Sequence, residues 1–237
     1  MNENMLYYLF IASIVFSLWA QLKVSMSYRK YASFITKNGK NATDVARMIL
    51  SSAGVTNVEI GRVRGNLTDH FDPRSNTLAL SDTTFASCSA AAIGVAAHEA
   101  GHAIQHSEGY FPIKLRSALA PATAFASRAS WGFIFIGFII MMLSAESNIG
   151  YIALLAGVGL FSVTTAFQLV TLPCELNASK RAMTALRAMG DYSHDELRAA
   201  RSVLTAAALT YVAATFTSMV QLLRLLLVLS GRRDNRR

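Results

Sequence analysis

Four stretches of this chain run without a charged residue for about the length a helix needs to cross a bilayer, roughly 20 residues at 1.5 Å each. They are Asn4 to Leu22, Ala129 to Ala145, Ser147 to Cys174 and Ser202 to Leu223. No other feature constrains the fold as strongly. Backbone in lipid must satisfy its own hydrogen bonds, so these stretches are helices or nothing that spans. Composition agrees: 53% of the residues are hydrophobic, 15% are charged and the mean hydropathy is +0.36. The fold class expected is a mainly α membrane protein of about four transmembrane helices with a small α+β domain bearing a short sheet.

The flanks refine this. Glu3 precedes the first stretch and Gln21-Leu22-Lys23 ends it. A cleavable signal peptide would start positive and end on small residues, so this reads as an uncleaved anchor. Only Glu146 and the turn residues Ser147 and Asn148 separate the second and third stretches, which read as a tight transmembrane hairpin. Arg224 interrupts the apolar run that continues to Leu229, and the end of the chain is basic.

The net charge of +8 needs a partner class. No nucleic-acid motif accompanies it, and in a membrane protein such an excess marks cytoplasmic loops and anionic headgroups. Residues 23–128 carry twelve Lys and Arg, whereas the N-terminal flank and the hairpin turn carry none. The positive-inside rule puts residues 23–128 in the cytoplasm. The basic tail, 230–237, pulls the other way if all four stretches cross cleanly. Cys88 and Cys174 form no C-x-x-C pair and no disulfide framework; each reads as a small buried residue, with zinc ligation as the alternative.

Between the first two stretches lies a polar segment with its own elements. Thr43 is a candidate N-cap for an amphipathic helix ending near Gly54. Val55 to Val63 has the β-branched alternation of a short strand, Asp69 to Asn76 is turn-rich, and Thr77 to Ser81 alternates like a half-buried strand. The strand at Thr77 either presents an edge to which a peptide adds itself or belongs to a small covering sheet. His70, in the turn-rich segment, is a candidate site residue or an ordinary loop histidine.

A helix then runs from about Thr83 to His106, with Gly109 as its stop, and carries His98-Glu99-Ala100-Gly101-His102. Residues four apart on a helix lie on one face, so His98 and His102 can share one Zn²⁺. Glu99, about 100° round the helix, can take a proton from an attacking water without ligating the metal. His106 is not the third ligand of a metzincin pattern, because Gln105 and Glu108 stand where that pattern has Gly and His. Glu175 follows Pro173 near a predicted helix start. It either complements the helix dipole or is the third ligand, and the two spans between His102 and Glu175 return both to one side of the membrane. Ser193 and Glu196 form a capping box for the next helix.

The organisation expected is an anchor over 4–22, a catalytic domain over 23–128, a hairpin over 129–174, a third-ligand helix and the next helix over 175–201, a transmembrane or partly interfacial helix over 202–229, and the tail.

These residues resemble the YugP-type membrane zinc metallopeptidases of bacteria. The resemblance rests on Asp69-His70-Phe71-Asp72-Pro73-Arg74, on Ala91 through Gln105, on Leu172-Pro173-Cys174-Glu175-Leu176-Asn177-Ala178-Ser179, and on Ala207 through Ala213. It implies a gluzincin-like, multi-pass enzyme of the bacterial plasma membrane with Zn²⁺ on His98, His102 and Glu175, and Glu99 as base. The span arrangement is also similar to the membrane-bound HtpX and Ste24 proteases. Those carry an Asp four residues after the third ligand; Ser179 stands there in this chain, so Ser179 or Asn177 is the candidate for orienting a ligand. Arg181, His194 and Tyr211 are candidate oxyanion donors. The function expected is a membrane-embedded zinc endopeptidase acting on peptide or protein substrates, membrane proteins among them. Two alternatives stand beside it. One is a non-catalytic scaffold whose structural zinc takes Cys174 or His106 as fourth ligand. The other is a site-2-type protease with its motif inside a span.

Overall fold

The structure, a computed structural model, describes residues 3–144 and 148–234. It is mainly α: α1 (Glu3–Ala32), α2 (Ala42–Ser52), β1 (Glu59–Val63), β2 (His70–Asp72), β3 (Thr77–Ser81), α3 (Ala90–Ser107), α4 (Phe111–Leu143), α5 (Asn148–Ala188) and α6 (His194–Asp234). Four helices are long and apolar enough to cross a membrane: Asn4–Ala32, Phe111–Leu143, Asn148–Ala188 and His194–Ser230. Only 17% of the first one's most apolar window and 28% of each of the others is buried within the protein. The remaining apolar surface, including Tyr8, Val15, Phe135, Met142 and Ile152, faces outward. The hairpin turn expected at Glu146 falls on residues 145–147, outside the described residues.

The chain divides into two compact units. The first takes residues 1–18, 115–172 and 211–237. Its helices approach closely because their contacts are glycine. A Cβ on Gly157 would lie 2.7–3.0 Å from Ile134 and the Ser130 carbonyl, and one on Gly137 would meet the Leu154 nitrogen at 2.7 Å. Ile134, Leu154, Val158, Phe161 and Leu225 fill the core around these contacts. Between apolar helices such packing, with a few hydroxyl bonds, replaces the missing hydrophobic drive. The Thr217 hydroxyl donates to the Ser13 carbonyl (3.1 Å), and Thr165 and Ser218 share a buried bond of 2.9 Å.

The second unit takes residues 19–114 and 173–210. Its sheet has the order β1-β3-β2, with β1 parallel and β2 antiparallel to β3. The strand at Thr77–Ser81 is therefore central. Both its hydrogen-bonding sides are taken, so it cannot be the edge a peptide joins. Leu78 and Leu80 point from it into a core with Val45 and Ile49 of α2, Ile93 and Ala96 of α3, Met183 and Leu186 of α5, and Leu204 of α6. The first strand is shorter than expected and starts at Glu59; His70 lies in β2 rather than in a turn.

Two helix starts also differ from the reading above. Asn41, not Thr43, caps α2: its side-chain oxygen accepts the Asp44 N–H at 2.9 Å, while the Thr43 hydroxyl donates to the Phe85 carbonyl. Ser89 caps α3, so Thr83–Cys88 lies ahead of the helix. Pro173 opens no new helix. It lies inside α5, where it is the first residue of the second unit's stretch. The capping box at Ser193 and Glu196 forms, and Glu196 also accepts the Lys37 N–H at 2.7 Å.

Replacing Gly157 by Leu should lower thermal stability by about 1–3 kcal/mol, the usual cost of overpacking. Thermal unfolding in detergent measures it; an unchanged midpoint would mean that this contact is not tight in solution.

Candidate metal centre

The site is built where α3 and α5 nearly touch. Gly101 faces Ala178, and a Cβ on Gly101 would lie 2.8 Å from the Ala178 carbonyl oxygen. Ala97, Ala100, Ala103, Ala178 and Ala182 are all buried around this crossing. With so little side chain between them, the backbones close up and groups reaching across meet at bonding distance.

Those groups are two imidazoles and a carboxylate. His98 and His102 project from one face of α3, with ring centroids 4.7 Å apart. Glu175, on α5, is 2% exposed, and its Oε2 lies 3.1 Å from His98 Nε2 and 3.4 Å from His102 Nε2. The three donors all lie within 4.8 Å of one another, the arrangement that could hold a metal ion. Donors about 2.0–2.1 Å from a tetrahedral ion sit about 3.3–3.4 Å apart; the 3.4 Å contact equals such an edge and the 3.1 Å contact is slightly shorter. Glu99 is buried beside them, 8% exposed.

The local field favours positive charge. Burial alone would lower the His102 pKa, but hydrogen bonds with Cys174 and Glu175 and the charges of Glu99 and Glu175 overcome it and raise it to about 10. A cation is at home at this spot, and Zn²⁺ fits both the donor chemistry and the field.

The far side of each imidazole is also engaged. Ser179 Oγ lies 3.1 Å from His98 Nδ1, and Gln105 Oε1 lies 3.0 Å from His102 Nδ1. With a metal bound, the proton on Nδ1 of each ring would point to that oxygen and leave Nε2 free to ligate. Gln105 is fully buried and in turn fixed: its Nε2 donates to the Cys174 carbonyl (2.8 Å) and to Asn177 Oδ1 (2.9 Å). Asn177 Oδ1 also accepts Arg181 Nε at 2.8 Å, and the Arg181 fork donates to both Glu108 carboxylate oxygens at 2.9 and 2.7 Å. That fork holds the Glu108 carboxyl below its ordinary pKa.

The structure thus places Asn177, Ser179 and Arg181 around the His-His-Glu cluster. His70 is exposed on β2 with its ring against the Thr68 carbonyl. His194 is exposed at the start of α6, its ring 3.3 Å from Arg198. Tyr211 is the first residue of the other unit's part of α6. Of the alternative fourth ligands, Cys174 is on the Nδ1 side of His102, 4.0 Å from that atom, and His106 packs on Phe71. Gln105 is the participant that sequence reasoning overlooked. Its signal was its position three residues after His102, on the same helix face.

A buried His-His-Glu cluster in a protein with four span-length helices fits the class of membrane-bound metallopeptidases. More narrowly, residues 6–230 match the family described as "Putative neutral zinc metallopeptidase", and the chain belongs to that family. It is 40% identical over 229 residues to "Putative membrane protease YugP" of Bacillus subtilis (strain 168), across 96% of this chain and 98% of that protein. No solved structure matches it. Family and relative together support a zinc metallopeptidase that is a membrane protein.

Ser179→Ala and Gln105→Ala should each weaken zinc binding by about 10–100-fold, the usual cost of losing a partner of a ligating histidine. Chelator competition on the purified variants reads this out; wild-type affinity in both would remove these residues from the site. Gly101→Leu should separate α3 from α5 and abolish tight zinc binding altogether.

Proposed function

We infer that this chain is a zinc endopeptidase embedded in the bacterial plasma membrane, with the metal on His98, His102 and Glu175 and Glu99 as general base. One observation carries the reading: the described residues bring three donors together, not four. Cys174 and His106, the candidates for closing the shell, contact other groups. Structural zinc sites close with four protein ligands, whereas catalytic sites keep three and leave a position open. The separate 18-residue helix α3, outside the four span-length helices, speaks against a site-2-type arrangement.

Zn²⁺ held there supplies the Lewis acidity that polarises a scissile carbonyl. The protein's residues do the rest. Glu99 follows His98 about 100° round α3 and is buried without joining the three donors. It accepts a proton from the attacking water and returns it to the leaving nitrogen, which conserves charge over the cycle. Burial keeps competing water from the Glu99 carboxylate. Ser179 and Gln105 hold the His98 and His102 rings in the tautomer that presents Nε2. Arg181, with its fork on Glu108 and its Nε on Asn177, steadies Gln105 and hence His102.

Peptide or protein chains are the substrates, membrane proteins among them. The twelve Lys and Arg of residues 23–128 support a site on the cytoplasmic side.

The test is Glu99→Gln beside Glu175→Ala. Glu99→Gln should retain zinc and lose about 10²–10⁴-fold in peptide cleavage, the span of a general base's contribution. Glu175→Ala should lose zinc and activity together. Cleavage at the wild-type rate by Glu99→Gln, or full zinc in Glu175→Ala, would overturn the respective assignment.

A further inference from the structure

Arg224 is a charge inside an apolar helix that the peptidase reading does not use. It lies in the first unit, on the span-length part of α6. Its guanidinium stands 4.1 Å from the Phe10 ring centroid and donates to Gln221 Oε1 at 3.2 Å. Among the described residues no carboxylate pairs with it. A guanidinium carries five N–H donors in a planar fork, so among the described residues one amide and one ring leave most of its capacity unused. Arginines inside membrane helices are costly and rare, and they mark functional cavities by default.

Arg224 borders such a cavity. A cleft of about 570 Å³ opens beside it, within the 300–1,000 Å³ range of ligand sites, and its walls include Leu6, Tyr7, Trp131, Ile134 and Phe138. The amide groups of Asn4 and Gln221 join Arg224 as its polar lining. The depth suits a ligand with one charged end. Phe10 is seven residues from the first residue of α1 and Arg224 ten from the last residue of α6, about 10–15 Å along each helix. An arginine side chain can reach headgroup level from that depth.

We propose that this cleft binds an anionic phospholipid, its phosphate on the Arg224 fork and an acyl chain along Trp131, Ile134 and Phe138. Two features argue for a lipid rather than a free phosphate. The walls beyond the charged end are apolar and aromatic, and the surrounding helices expose apolar surface that lipid must cover. The guanidinium matches a phosphate with two parallel N–H···O bonds, as it matches a carboxylate.

The experiment uses the full chain in detergent, titrated with phosphatidylglycerol or phosphatidylcholine of the same acyl chains and read by native mass spectrometry. Wild type should take up one phosphatidylglycerol with at least about tenfold preference. Arg224→Gln should bind it roughly tenfold or more weakly, what loss of a charge-assisted pair costs, while Arg224→Lys keeps part of the preference. The Arg232→Gln, Arg233→Gln double variant should bind as wild type. Wild-type preference in Arg224→Gln, or loss of preference in the tail variant alone, overturns the proposal. A phosphatidylglycerol with a photoreactive acyl chain tests the wild type directly. It should label the Trp131–Phe138 peptide, and labelling confined to other segments also overturns the proposal.

Discussion

The contact between Gly101 and Ala178 is what the candidate site depends on. Two helix backbones can approach to bonding distance only where side chains are absent, and here a single Cβ would strike the opposing carbonyl at 2.8 Å. The motif on α3 supplies two imidazoles, and Glu175 reaches them because Gly101 lets α3 pass close against Ala178. A glycine between Glu99 and His102 could pass for filler. Physically it sets the distance between α3 and α5, and so whether three donors make one site.

Burial then makes that site demanding. Glu175 and Glu99 are acids taken out of water, a step that costs several kcal/mol per charge unless a counter-charge stands close by. The His102 imidazole is drawn toward its charged form by these same neighbours. A divalent cation answers both acids at once. Metal affinity and the stability of this part of the fold are accordingly linked: whatever binds the folded chain alone stabilises it.

The polar network around the cluster engages each imidazole on its far side. Ser179, four residues after Glu175, contacts His98 Nδ1 through its hydroxyl. His102 is held from its own helix by Gln105, which is anchored through Asn177 and Arg181 to Glu108 at the end of α3. The chain of bonds ties the two helices together on the far side of the imidazoles. It fixes ring orientation without adding a charge next to the metal position.

The span-length helices, the helix bearing His98 and His102, and the stops at Gly54 and Gly109 were legible in the sequence, because they follow from local rules: hydrophobic length, a period of 3.6 and the left-handed conformation glycine allows. Gly54 and Gly109 do adopt positive φ, 71° and 67°. Three things were not local. Strand order was one, since alternation in Thr77–Ser81 fixes which face is buried but not how many neighbours a strand has. The run of α5 through Pro173 was another: a proline removes one hydrogen bond, and a long helix held by its packing can absorb the loss. The third was Gln105, whose amide differs from any exposed glutamine until α5 brings the Cys174 carbonyl and Asn177 to it. The sequence alone determined which residues could ligate a metal and which stretches could lie in a membrane, because donor chemistry and hydrophobic length are properties of the residues themselves. The tertiary structure decided which of those donors meet, because that depends on how closely two helices distant in sequence can pack.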